Sequence, residues 1–342
     1  MAKVKPLGPE EPTIIERIAN VMPGPFFLKC LVFWVIFGTP GMVLTRYLDT
    51  FNVDKALALF SQFTLQNVAV FSLANFVMPF YAFLGIHYMR LKIVEARPEL
   101  EPVIVDGATT LNESFGSISN ALPAIALAAF FGVVSIASFP GQTQHVAGYL
   151  SLIVKVVGLA FAMLSYGTFV WIYARSISGL HHLGKERLSL VPFYEDRHLG
   201  MKSMGSVSLS FAWVYFLGIG LVFFSFNPLP LPTLVALLGL TLLGIILFFL
   251  PLHVVHVKMV KEKHSVEKAL RKRLSQVMET PDDKEEGLRG ITEIIMFQML
   301  EQKVSKISEW PFDTATLSWF SAIVITIVGT IITRYLLIFL GL

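Results

Sequence analysis

The feature that most constrains this chain is a succession of apolar runs, each about as long as a bilayer core is thick. Ala121–Phe139, Val207–Phe226 and Leu231–Leu252 contain no charged residue. A helix rises about 1.5 Å per residue, so about 20 such residues cover the ~30 Å hydrocarbon core. With 54% hydrophobic residues, 29 Phe and only 15% charge in 342 residues, the chain is far more apolar than soluble domains, which carry about 25% charge. In lipid every backbone polar group needs an internal partner. The expected fold is therefore an all-α, polytopic integral membrane protein with about seven transmembrane helices.

In chain order, residues 1–25 read as a cytoplasmic or interfacial amphipathic segment. Within it, Pro12–Met22 carries Thr13 and Glu16 at capping-box spacing and Ile14, Ile15 and Ile18 on one side. It has charges of both signs and no short apolar core with a cleavage site, so no cleaved signal is expected and the first span serves as its own anchor. Residues 26–256 read as a six-helix region. Its first span is Phe26–Tyr47, bent at Pro40 in GTPG, with Lys29 snorkelling to the near interface. Asp49–Gln66 reads as interfacial or re-entrant. The next spans are Asn67–Met89, Ala121–Phe139, Val146–Ala174, Val207–Phe226 and Leu231–Leu252, separated by polar loops at Arg90–Asn120 and Arg175–Ser206, and NPLP joins the last two. Residues 257–312 read as a cytoplasmic helical hairpin broken at PDDKEEG, with Phe297, Leu300, Val304 and Ile307 on one helical face. Trp310 precedes a proline and ends the second helix, and Asp313 caps the seventh span, residues 313–342.

An inside amino terminus puts 23 of the 27 Lys and Arg residues on the inner side. That bias predicts a cytoplasmic amino terminus and an outside carboxyl terminus, in the plasma or cell membrane. The one glycosylation-type triplet, Asn112–Ser114, then faces the cytosol. Cys30 is the only cysteine, so there is no disulfide framework or cysteine metal cluster. A net charge of +3 without a basic stripe argues against nucleic acid as a partner. No internal repeat is evident, which counts against an inverted-repeat carrier.

Several residues stand out. Lys155 falls about 13 Å along its run from the outer surface, either facing a bundle interior or snorkelling outward. Asn75 and Pro79 shape a cavity or form a packed kink. In the last span Thr326, Gly329, Thr330 and Thr333 recur every three or four residues and share a helix face. Such a face lines a pore or lets helices approach closely. Arg334, nearer the outer end, forms a charged ring or an interfacial anchor. His181, His182, His198, His253 and His256 fall on the predicted inner side. They read as interfacial groups, as proton sensors or as parts of a cytoplasmic ligand site. With no HExxH motif or other metal-ligand spacing, no metal and no cofactor is expected. The stretch Val191–Ser206 reads as a structured elbow at the membrane surface.

No family motif is present. The layout of seven spans, an inside amino terminus and an intracellular helical hairpin leading into the last span is similar to that of the insect odorant and gustatory receptor-like channels. The resemblance implies homotetramers whose last spans line a cation pore and whose intracellular helices anchor the subunits. The leading expectation is thus an oligomeric channel or channel-like pore passing small ions, gated through the cytoplasmic helices, with Thr326, Gly329, Thr330, Thr333 and Arg334 lining it. The expected partners are the lipid bilayer and further copies of the chain. The alternatives are a non-conducting receptor or scaffold meeting a cytosolic protein through residues 257–309, or a small-solute carrier using Lys155 and Asn75. An enzyme is not expected, the one exception being a histidine-dependent membrane enzyme.

Overall fold

The computed structural model describes residues 10–37, 78–138, 149–192, 195–225, 231–279 and 284–340. The GTPG kink, Asp49–Gln66, Asn75, the PGQTQ turn, NPLP and the break at Pro281–Asp283 lie outside the described residues. In chain order the helices are α1 (Ile14–Ala19), α2 (Phe26–Phe37), α3 (Met78–Leu100), α4 (Gly107–Phe115), α5 (Ala121–Ser138), α6 (Tyr149–Lys185), α7 (Lys202–Ser225), α8 (Leu231–Glu279), α9 (Lys284–Ser305) and α10 (Thr314–Phe339). A 3-10 turn, Glu101–Val103, lies between α3 and α4.

Four of these, α6, α7, α8 and α10, are long and apolar enough to cross a bilayer, and α5 is a shorter apolar helix. Their outward faces display Phe130, Val133, Ile153, Leu242, Ile246, Ile325 and Ile332 to the surroundings. An apolar surface this extensive is solvated by lipid tails and would aggregate in water, so the protein is membrane-embedded. Small residues set the closest approach: a Cβ on Gly167 of α6 would lie 2.5 Å from the Ala124 carbonyl of α5.

The chain is more ordered at one end of the bundle than its charge suggests. Polar loops are the expectation for Arg90–Asn120 and Arg175–Ser206. Instead α3 runs on to Leu100, α6 runs on to Lys185, and α4 fills part of the first stretch. The charges occupy only one side of these extensions. Ile86, Met89, Ile93, Ala96 and Leu100 recur at alternating steps of three and four, and all are buried with Ile172, Leu180 and Leu183 of α6. α8 is 49 residues long, about 73 Å, more than twice the hydrocarbon thickness. Its Val255 and Met259 enter the same core. An antiparallel bridge ties the segments after α3 and α6, with Val105 N–H donating to Arg187 O at 3.1 Å and Ser189 N–H to Val103 O at 2.8 Å. Lys258 of α8 donates to the Glu186 carbonyl just past the end of α6, placing a cation where the helix dipole favours one. These α3, α4 and α6 segments form a folded layer capping one end of the bundle.

The amino-terminal segment is bolted onto that layer. The capping box forms between the expected residues, Thr13 and Glu16, and Ile15 and Ala19 are fully buried. Glu16 is 1% exposed. Its carboxylate accepts hydrogen bonds from Thr13 N–H (2.9 Å), Thr13 Oγ1 (3.0 Å) and Arg90 Nε (2.9 Å), and lies 2.7 Å from His87 Nδ1. Burial works to raise its pKa, but the His87 and Thr13 hydrogen bonds and the Arg90 charge together hold it below the usual carboxylate value.

A second apolar cluster joins α7, α8 and α10 around Phe216, Phe248 and Phe320. Phe248 stacks on Phe320 at 4.1 Å, and Phe320 meets Phe216 edge-on at 5.7 Å. This cluster seats the last helix against the bundle.

Candidate functional site

The candidate site is α10 together with the tether, residues 306–313, that connects it to α9. The tether is held from two sides. On one, the elbow is fixed by Asp196, whose carboxylate accepts from His198 N–H at 2.9 Å and Gly200 N–H at 2.8 Å. Leu199 and Gly200 have positive φ, 55° and 80°, which folds the elbow back so that Arg197 O accepts from Ser308 N–H at 3.0 Å. On the other side, the His256 ring of α8 stacks on Trp310 at 4.1 Å and 12°, while its Nδ1 lies 2.7 Å from Glu309 O. A carbonyl only accepts, so Nδ1 carries the hydrogen. Lys263 pairs with the Glu309 carboxylate at 3.0 Å and lowers its pKa.

At the membrane side Gly205 of α7 meets the Pro311 carbonyl so closely that no Cβ fits between them. Asp313 accepts from Thr316 N–H at 2.8 Å, capping α10 as the sequence suggests. Phe312 then continues the aromatic contacts to Phe248 and Phe320. The result is a fixed mechanical link from α8 and the elbow into the first turns of α10.

His198 is 4% exposed. Its Nε2 accepts from Arg197 Nε at 3.1 Å, and its Nδ1 is buried on the Trp310 side of the tether. Burial, reinforced by the Arg197 charge, lowers its pKa and favours the neutral ring.

α10 has two unlike faces. Phe320 and Ile331 are buried, with Ile323, Val324 and Ile327 packed beside them. Thr326, Gly329 and Thr333 are exposed on the opposite side, and Thr330 is half-buried. The Thr326 hydroxyl donates to Ala322 O at 2.8 Å and the Thr330 hydroxyl to Thr326 O at 2.6 Å, so both are satisfied within the helix. Beyond its own helix backbone, a Cβ added at Gly329 would find no heavy atom within 4 Å.

The structure thus brings His198 and His256 together at the tether, and the His253 ring lies 6.4 Å from that of His256. His181 and His182 lie away from the tether, beside α4. His182 Nδ1 lies 3.1 Å from Ser114 Oγ of α4, and His181 Nδ1 is buried without a partner among the described residues. Among the described residues no three His, Cys, Asp or Glu side chains are placed to hold a metal ion. Lys155 and Arg334 lie in α6 and α10, and Pro79 in α3, but their side chains are outside the described set, as is all of Asn75. Two features escape a reading of the sequence: the Glu16–His87–Arg90 cluster and the stacking of His256 on Trp310. Both join residues more than fifty positions apart, which no periodicity encodes. Comparison with protein-family models, with curated proteins and with solved structures finds no match to this chain.

Proposed function

We propose that the chain is one subunit of an oligomeric membrane channel for small ions, with seven spans, an inside amino terminus and α10 lining the pathway. The observation that carries this reading is the open face of α10. Gly329 has no neighbour within van der Waals reach of an added Cβ, and Thr326 and Thr333 are exposed beside it, while the opposite face is locked to α7 and α8 by aromatic packing. Small residues on a face turned toward an axis leave room between copies for a path of pore dimensions. Copies of α10 arranged about an axis would turn that face into a narrow wall of backbone and hydroxyl groups. The fixed tether then supplies the gating connection, because a displacement of α8 is transmitted through His256, Trp310 and Pro311 to the start of α10.

The test is potassium flux from liposomes containing the purified protein, compared with Gly329→Trp. The side chain leaves Gly329 into open space on its own subunit, so the subunit fold should survive while the pathway is filled. Wild-type flux lost in a variant that keeps its thermal transition supports the pore. Equal flux in both proteins rejects it.

A second reading, a non-conducting receptor or scaffold, is favoured by α9. Its Ile295, Met296 and Met299 are about half or more exposed, on a helix too charged to lie in the bilayer. A cytosolic protein that co-purifies with the wild type, and is lost when residues 284–305 are replaced by a polar linker, would favour this reading over the channel.

A further inference from the structure

We propose that Arg175, Trp171 and the turn Ser117–Asn120 form a binding site for the phosphate group of an anionic phospholipid. Three observations converge on it. The first is the level of the site in the membrane. The exposed face of α6 carries Ile153, Val156, Val157 and Val170, then changes to Ala174, Ser178 and His182. The apolar belt therefore ends at Trp171 and Arg175, the depth at which lipid headgroups begin. The Trp171 indole N–H donates to Ser117 O at 3.1 Å, anchoring the ring at that boundary.

The second is charge. Arg175 is half-buried and donates through Nε to the Ser117 hydroxyl. Among the described residues no carboxylate lies within ion-pair distance of it, and Glu113, one turn earlier on α4, makes no ion pair with it. A guanidinium stays charged and has five N–H donors, so the other four have no acceptor here among the described residues. Its planar fork matches two oxygens of a phosphate. The third is the surroundings. The amino-terminal end of α5 lies in the same turn, where Asn120 Oδ1 takes the Leu122 N–H at 3.2 Å and Pro123 has no N–H, so the helix offers its dipole and not a row of free amides. The helix dipole favours an anion there. Ser119, 2% exposed, has a hydroxyl with no partner among the described residues in the same turn.

What distinguishes a lipid from a free phosphate is the surface on the bilayer side. Leu122 is 76% exposed, and Ile125 and Val170 are exposed as well, a strip suited to acyl chains below a headgroup held by Arg175. The site does not depend on the channel reading.

The experiment is native mass spectrometry of the full chain in detergent, titrated with phosphatidylglycerol or phosphatidylcholine, with and without millimolar inorganic phosphate. Wild type should bind its first phosphatidylglycerol about tenfold more tightly than Arg175→Gln does, the loss of roughly one charge-assisted contact. Gln can still donate to Ser117. Equal affinity in the two proteins, or no preference for phosphatidylglycerol over phosphatidylcholine, overturns the proposal. Displacement by inorganic phosphate assigns the site to the free ion and overturns the lipid claim. If Arg175→Gln does not fold, hydrogen exchange on the wild type decides. Amides of residues 117–122 should be protected in phosphatidylglycerol nanodiscs relative to phosphatidylcholine, and identical exchange refutes the site.

Discussion

Replacing Glu16 with Gln should release the amino-terminal segment from the end layer. Gln keeps the shape but places an amide against Arg90, which is 14% exposed and lies 2.9 Å from the carboxylate. It also weakens the bonds from Thr13 and His87. Removing one partner of a buried pair costs about 3–5 kcal/mol, because the remaining charge is left uncompensated. The lower figure corresponds to a roughly 150-fold rise in the local opening constant. Ile15 and Ala19 would lose their seat in the core as the segment leaves. The assay is hydrogen exchange on amides of residues 14–20 in detergent, with Arg90→Met and the double variant completing a cycle. A coupling of about 1–3 kcal/mol between the two sites is expected for residues in one network. Acid should act in the same direction. The folded-state pKa of Glu16 is depressed, so its stabilisation is complete above the unfolded carboxyl value near pH ~4.3 and is lost as pH falls through the lower folded value. After correction for intrinsic exchange, protection should hold level from about pH 8 to about pH 5 and then fall below about pH 4. Exchange in Glu16→Gln within about threefold of wild type, far short of the change expected for a buried pair, would refute the idea that this cluster holds α1.

Other expectations follow from the tether and the topology. Gly205→Val should push against the Pro311 carbonyl and Phe312 and cost about 1–3 kcal/mol as an overpacked contact; an unchanged unfolding temperature in detergent would contradict the seat. His256→Ala should remove the ring stacked on Trp310 and the bond to Glu309 O, shifting Trp310 emission to longer wavelength, which Trp310→Phe difference spectra would isolate. Gly341→Cys in a Cys30→Ala background should label from outside intact cells; labelling from inside alone would reverse the proposed orientation.

The membrane class is legible in the sequence because the apolar runs are long and almost free of charge. So are the two caps, at Thr13 and Asp313, since capping depends on residues only three apart. The packed face that runs from α9 into the tether shows in the spacing of Phe297, Leu300, Val304 and Ile307, and Val304 and Ile307 are indeed buried. The end layer is harder to read, because dense charge is also the mark of a loop. Its pattern is present at Ile86, Met89, Ile93, Ala96 and Leu100, but the apolar half of the helix is hidden among Arg, Lys and Glu. The open face of α10 is visible as a periodic set of small residues, whereas its orientation away from the bundle depends on Phe216, Phe248 and Phe320 meeting across three helices. Such meetings have no local signature.

The central claim is that water and ions run along the Gly329 face of α10. The most direct measurement is thiol accessibility at that position. Gly329→Cys, in a Cys30→Ala background, would be reconstituted in liposomes and its potassium flux followed before and after a membrane-impermeant, positively charged methanethiosulfonate. Block of flux, with no block in Cys30→Ala alone, is the expected result. Flux that continues unchanged while the introduced thiol remains unmodified would place that face against lipid or another helix and contradict the claim.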